Sequence, residues 1–133
     1  MDASFMLALV LDEPHTEKAT DLLDGWVVKG SELHAPLLAQ YEVASVLTRR
    51  RAHRELSRED SDRALRVVDR LNVIFHIAPD KARAIEIALE LERHSAYDAA
   101  YLALSQELGA ELWTLDGRLA RNAGDRYPVK LID

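Results

Sequence analysis

The chain reads as an α/β sandwich built on a mainly parallel sheet, and three observations lead there. Short apolar segments alternate along its length with longer segments of helical periodicity. No internal repeat, low-complexity tract or linker interrupts the alternation, so 133 residues are expected to form one domain with a single core. The composition is that of an ordinary globular protein, with 48% hydrophobic and 30% charged residues. Parallel strands need crossover helices, and alternating elements of this kind put helices on both faces of the sheet.

Each element has a local reason. Ser4 to Leu11 is apolar and follows a turn at Asp2, which suits a short helix. Pro14 stands near the start of a second helix to about Val28, with Ala19, Leu22, Leu23 and Trp26 at helical spacing, and Gly30 breaks it. Glu32 to Ala35 is a strand candidate. Pro36 is expected to open a helix carrying Leu37, Leu38, Tyr41, Val43, Ala44, Val46 and Leu47. Ser57 is the expected N-cap of a helix to about Leu71. Val73 to Ile77 reads as a buried strand. Pro79 and Asp80 start a helix to about Leu91, and Ser95 is expected to cap a strongly apolar helix, Ala96 to Leu108, that Gly109 ends. Glu111 to Leu115 is a strand, a short helix runs to Asn122, and Val129 to Ile132 is the last strand.

Charge and composition narrow the function. No apolar run approaches the roughly 20 residues that span a bilayer. The first eleven residues carry Asp2 and no basic segment, so they do not resemble a signal peptide, and a cytoplasmic location is expected. Cysteine is absent, which excludes disulfides and thiolate metal sites. The five histidines, at 15, 34, 53, 76 and 94, show no HExxH-like spacing, which argues against zinc. The net charge of -6 speaks weakly against a nucleic-acid partner, but the charge is segregated. Residues 49–70 hold eight Arg against five acids, and residues 118–133 are also net basic. Basic segments flanking acidic ones suit a phosphate-binding rim around an acidic pocket; a solvated helix surface with paired charges is the alternative.

Four acids stand where carboxylates are awkward: Asp2, Glu42, Asp98 and Asp116. Burying one without a partner costs several kcal/mol (of order 2–7 for a polar group) or raises its pKa. Glu42 shares a helix stripe with Leu38 and Val46, although its carboxylate could reach water from the edge of that stripe. Asp98 lies in the first turn of an apolar helix, where it could instead complement the helix dipole. Asp116 ends a strand before Gly117, a pair common in turns. Asp2 could be a solvated terminal acid. Thr114 lies two residues before Asp116 on the same strand face, and Ser4 could cap a helix or meet a phosphate oxygen. Gathered in one pocket, these carboxylates would repel unless a divalent cation joined them. Magnesium or manganese and phosphodiester cleavage are therefore the first chemistry to test.

Together the segments Asp2-Ala3-Ser4, Glu42-Val43, Ser95-Ala96-Tyr97-Asp98-Ala99-Ala100-Tyr101 and Leu112-Trp113-Thr114-Leu115-Asp116 resemble the PIN-domain nucleases, and most closely the VapC-type toxins of toxin–antitoxin pairs. The resemblance runs in order along nearly the whole chain. It implies a three-layer PIN-like sandwich with strand order 3-2-1-4-5 and divalent-metal-dependent endonucleolytic cleavage of RNA. Asp2, Glu42, Asp98 and Asp116 match the family's acidic quartet. Asp2, Asp98 and Asp116 would hold Mg2+ or Mn2+, Glu42 would ligate or act as a base, and Ser4 and Thr114 would be accessory. Arg49, Arg50, Arg51 and Arg54 are candidates to grip RNA phosphates; pairing with Glu55, Glu59 and Asp60 is the alternative. The implied partners are an RNA substrate, a cognate antitoxin protein and a second copy in a homodimer. The face holding Leu7, Leu11, Trp26 and Leu47 could meet such a partner, although core packing is the better expectation.

There is one departure. The family has an apolar strand before its first aspartate, whereas here that aspartate is residue 2, so the first strand is expected to be absent or truncated. A start codon placed downstream of the true one is the expected cause; a gapped sheet, or one completed by another chain, is the alternative. Two other functions stand beside the toxin reading: a housekeeping PIN nuclease of RNA maturation, and a catalytically silent interaction module. An aspartyl-phosphate phosphatase fits less well, because Asp2-Ala3-Ser4 lacks a second acid.

Overall fold

The structure is a computed structural model that describes residues 1–77 and 79–133. The elements follow the order α1 (Ala3–Val10), α2 (Thr16–Val28), β1 (Leu33–Pro36), α3 (Leu38–Ala52), α4 (Arg58–Val68), β2 (Val73–His76), α5 (Lys81–Glu90), α6 (Tyr97–Leu108), β3 (Leu112–Thr114), α7 (Gly117–Ala123) and β4 (Val129–Leu131). Gly124–Arg126 adds a 3-10 turn before β4.

Capping residues fix several of the helix starts. The Asp2 carboxylate accepts from Phe5 N at 3.0 Å and starts α1. The Ser57 hydroxyl accepts from Asp60 N at 3.0 Å at α4, and Asp80 accepts from Arg83 N at 3.0 Å at α5. Such caps satisfy N–H groups that the first turn leaves without partners, worth about 1 kcal/mol each. Gly109 ends α6 with φ of 60°, a left-handed conformation that glycine adopts without a Cβ clash.

The strands form two parallel pairs, β1 with β2 and β3 with β4. Leu33 stands opposite Val73 in the first pair and Leu112 opposite Val129 in the second. Residues Met1 and Asp2 bridge them: Met1 N donates to His34 O at 3.0 Å, and Asp2 N donates to Trp113 O at 3.2 Å. The order across the molecule is therefore β2, β1, the Met1-Asp2 bridge, β3, β4. This is the expected order, with Met1 and Asp2 in the central place.

The core lies where α1 packs on α2, α3, α4 and β3, and where α6 packs on α5, β1 and β3. Phe5, Met6, Val43, Ile87 and Leu102 are fully buried. Phe5 stacks on Trp26, with ring centroids 5.2 Å apart, and Trp26 meets Trp113 edge-on at the same separation. Truncating Phe5 to Ala is expected to cost about 3–5 kcal/mol in transfer and cavity terms. Leu7, Leu11 and Leu47 are buried and Trp26 is half-buried, so that face is core rather than a docking surface.

Three local expectations are corrected. Pro36 ends β1 instead of opening a helix, and α3 begins two residues later at Leu38; a proline, lacking an N–H, is equally tolerated at a strand end and before a helix, so its presence did not decide between them. The N-cap of α6 is Ala96; the Ser95 hydroxyl accepts from Tyr97 N at only 3.4 Å. β2 is not a buried strand. It is an edge strand with Ile74 exposed, and Ile77 beyond it is 86% exposed. Parallel strands are buried on both faces only where helices cover both, and the edge position leaves β2 partly uncovered.

Candidate active site

One pocket of about 320 Å³ is lined by Asp2, Ser4, Glu42, Arg49, Asp98, Tyr101 and Asp116, together with apolar neighbours. It gathers all four acids singled out from the sequence. They come from four places: the entry to α1, the second turn of α3, the first turn of α6 and the carboxyl end of β3. Ligand sites in open α/β sheets collect at strand carboxyl ends, and Asp116 sits at such an end.

Asp2 is the most deeply buried of the four, at 6% exposure, and the solvated-terminus alternative is thereby excluded. Its Oδ1 accepts from the Ser4 hydroxyl at 2.7 Å and from Phe5 N at 3.0 Å, while Oδ2 accepts from the Thr114 hydroxyl. Burial raises its pKa, and these hydrogen bonds oppose the rise without cancelling it. Thr114 is fully buried and also accepts from Asp116 N at 2.9 Å. It thus ties the first acid to the backbone of the last. Ser4 extends the tie by accepting from Leu115 N at 2.8 Å.

Glu42 is half-buried and its Oε2 accepts from the Tyr101 hydroxyl. Its pKa is raised, first by desolvation and further by the negative charges of Asp2 and Asp98. That coupling is what a carboxylate cluster without a cation requires. Burial, the bond to Glu42 and the negative charges of Glu42 and Asp2 push the Tyr101 phenol far upward, so it stays a proton donor to Glu42 across the physiological range. Asp98 pairs with Arg93 at 2.7 Å. Asp116 caps α7, its Oδ1 accepting from Arg118 N at 2.8 Å and Leu119 N at 3.1 Å.

The donor set is all oxygen, carboxylates with hydroxyl support, which fits a hard divalent cation. Among the described residues, no three Asp, Glu or His side chains converge closely enough to ligate one ion as they stand. The bonds explain why. Asp98 leans to Arg93, Glu42 to Tyr101, and Asp2 has both oxygens engaged by hydroxyls and backbone. The chemistry of the site fits a divalent cation.

The sequence of residues 1–125 matches the family described as PIN domain. The chain belongs to the PIN-domain family. Similar proteins include Ribonuclease VapC3 of Pyrobaculum aerophilum, 37% identical over 97% of this chain and 94% of the relative. VapC ribonuclease Mb0985 of Mycobacterium bovis is 32% identical over 99% of this chain and 96% of its own length. Ribonuclease VapC1 of Mycobacterium tuberculosis is 34% identical over 94% and 93%. The parallel strand pairs and the helices around them are the PIN-like α/β sandwich that the resemblance implied.

Of the arginines singled out in this PIN domain, Arg49 lines the acidic pocket. Arg50 does not serve there; it pairs with Glu13, and both side chains are partly buried. Arg51 and Arg54 are exposed beyond it, and none of Arg49, Arg51 and Arg54 pairs with Glu55, Glu59 or Asp60. Two site residues were not singled out from the sequence. Tyr101 stands three residues after Asp98, hence on the same helix face, and that spacing was the available signal. Arg93 lies in the connection between α5 and α6, where no periodicity marks it.

Proposed function

We propose that the chain is a divalent-metal-dependent endoribonuclease, the toxin of a toxin–antitoxin pair, acting as a single domain over residues 1–133. The observation that carries the reading is the gathering of Asp2, Glu42, Asp98 and Asp116 around one pocket, with Arg49 on its wall. The names of the relatives, all ribonucleases, support the substrate class.

In this reading Asp2, Asp98 and Asp116 hold Mg2+ or Mn2+. When bound, the cation supplies Lewis-acid chemistry at the scissile phosphate. Glu42 orients the attacking water and takes its proton, and its raised pKa brings it nearer to neutral pH, where a base works best. Tyr101 fixes the direction of the Glu42 carboxylate and, by donating to Oε2, leaves Oε1 to face the water. Thr114 and Ser4 hold Asp2 in one rotamer. Arg49 binds a substrate phosphate, with Arg51 at the end of α3 and Arg54 just beyond it extending the basic track. Arg93 pairs with Asp98 and offsets its charge, so it would set how readily Asp98 could hold a cation. A cytoplasmic location, a cognate antitoxin and a homodimer complete the reading. They rest on the family alone.

The test is cleavage of structured RNA with magnesium or manganese, repeated after chelation. Cleavage that chelator stops and added metal restores supports the reading. Cleavage that persists without metal, or none under any condition, overturns it. The silent-module alternative would stand only in the second case, where no cleavage is seen.

A further inference from the structure

The chain holds two Trp, four Tyr and two Phe. Among them only Tyr41, at 74%, and Tyr97, at 68%, are exposed; the others are buried or half-buried. Each exposed ring directly precedes an acid of the pocket, Tyr41 before Glu42 and Tyr97 before Asp98. We propose that these two rings are stacking platforms for unpaired nucleobases, one at the Glu42 edge of the pocket and one at the Asp98 edge, and that they select single-stranded RNA. The inference rests on the nuclease reading and adds to it the form of the substrate.

Helix geometry places the rings. Residues four apart share one face of a helix. Tyr41 shares its face of α3 with Ser45, and Tyr97 shares its face of α6 with Tyr101; Ser45 and Tyr101 both line the acidic pocket. The Tyr101 hydroxyl bonds the Glu42 carboxylate, so the two helices meet at the pocket. Tyr41 and Tyr97 each stand one turn before the lining residue, near the start of its helix. The tyrosine hydroxyls that bond carboxylates are those of Tyr101 and Tyr127. Among the described residues, the hydroxyls of Tyr41 and Tyr97 have no partner, and neither ring packs on another aromatic. The fold uses every other aromatic ring in packing and leaves these two to solvent beside the acids.

Charge explains why such platforms are needed. The pocket holds four carboxylates and the chain carries a net charge of -6, so phosphates near the pocket meet repulsion as well as Arg49. Affinity must then come in part from the bases, through contacts that add no charge. A phenol ring supplies a flat face at small conformational cost, and every base has a π-face to lay on it, whatever the sequence. Bases in a duplex already stack on their neighbours, so only an unpaired strand or loop can offer them. Rings at two edges of one pocket suit the nucleotides on the two sides of the scissile phosphate. Holding those bases apart opens the backbone between them to the acids.

The experiment measures equilibrium binding, with calcium present, of a short single-stranded RNA, the same RNA as a duplex, and an abasic oligomer of equal length. The proteins are the parent, Tyr41→Ala, Tyr97→Ala and the Phe variant at each position. The parent is expected to bind the single strand more tightly than the duplex or the abasic oligomer. Each Ala variant is expected to weaken single-strand binding roughly fivefold or more, with Tm close to the parent's, and each Phe variant to bind as the parent does. Binding of the abasic oligomer is expected to be alike in all five. Unchanged single-strand affinity in both Ala variants, or an equal loss for the abasic oligomer, overturns the proposal. An effect that follows only a loss of self-association, by sedimentation, would place a second copy on the rings and also overturn it. RNA cleavage in magnesium, measured alongside, separates the two readings. A parent that cleaves RNA while both Ala variants bind as it does overturns the platforms and leaves the nuclease. A parent that binds single strands through the tyrosines without cleaving them overturns the nuclease and leaves the platforms, and a parent that binds no RNA overturns both.

Discussion

Replacing Thr114 by Val removes one hydroxyl and changes the volume little, and it probes the joint on which the acidic pocket turns. Thr114 is fully buried. Its hydroxyl donates to Asp2 Oδ2 and accepts from Asp116 N at 2.9 Å. The bond to the carboxylate is of the charge-assisted kind, worth about 1.5–3 kcal/mol, and the backbone bond about 0.5–1.5 kcal/mol. Valine also leaves the 6%-exposed Asp2 with one oxygen facing a methyl group. The sum is a loss of about 2–4 kcal/mol, against a typical total of about 5–15 kcal/mol. For a domain of this size it corresponds to a fall in Tm of roughly 8–16 °C. Urea titration with an unchanged m-value would measure it directly. Thr114→Ser keeps the hydroxyl and is expected to lose only about 1 kcal/mol, the value of one buried methyl group. A Val variant within about 0.5 kcal/mol of the parent would refute the reasoning, because surface-like changes fall in that range. So would a Ser variant as damaged as the Val one.

Three further outcomes are expected. Tyr101→Phe removes the donor to Glu42 and is expected to lower kcat more than KM and to move the acidic limb of the pH–rate profile upward; an unchanged limb would remove Tyr101 from the site. Asp2 and Glu42 both have raised pKa values, so the folded state retains protons that the unfolded state releases. Stability of the metal-free protein is therefore expected to fall as pH rises from the ordinary carboxylate range through the raised values; Glu42→Gln should flatten that slope in urea titrations across pH, and an unaltered slope would count against the coupling. Arg49→Ala is expected to weaken RNA binding and reduce the salt slope by roughly 0.7, one phosphate contact on a single strand, with little change in stability. Arg50→Ala is expected to do the reverse, through loss of the Glu13 pair, and equal effects of the two on RNA binding would contradict the assignment.

What the sequence disclosed and what it withheld divide along the range of the interactions involved. Ser57, Asp80 and Gly109 mark helix ends by local chemistry, and they do so in the structure. The four acids were legible because each breaks an apolar pattern within a few residues. Asp2 was the least legible, since nothing adjacent in the chain shows that Thr114, 112 residues away, completes its burial. The Arg50–Glu13 pair spans 37 positions, and Arg93 meets Asp98 only because the connection after α5 folds back. The edge status of β2 was hidden for a similar reason: an apolar run announces burial, but strand order decides which faces are covered. The central place of Met1 and Asp2 between the strand pairs showed only in their backbone bonds to His34 and Trp113.

The account's central claim is that the four acids form one RNA-cleaving site. Its most direct test is metal-dependent RNA cleavage by the parent chain beside Asp98→Asn, with both proteins shown to be folded by thermal melting. The account expects cleavage by the parent and none by the variant, which stays folded because relief of carboxylate repulsion offsets the loss of the partly exposed Arg93 pair. A folded Asp98→Asn protein that cleaves RNA as fast as the parent would contradict it.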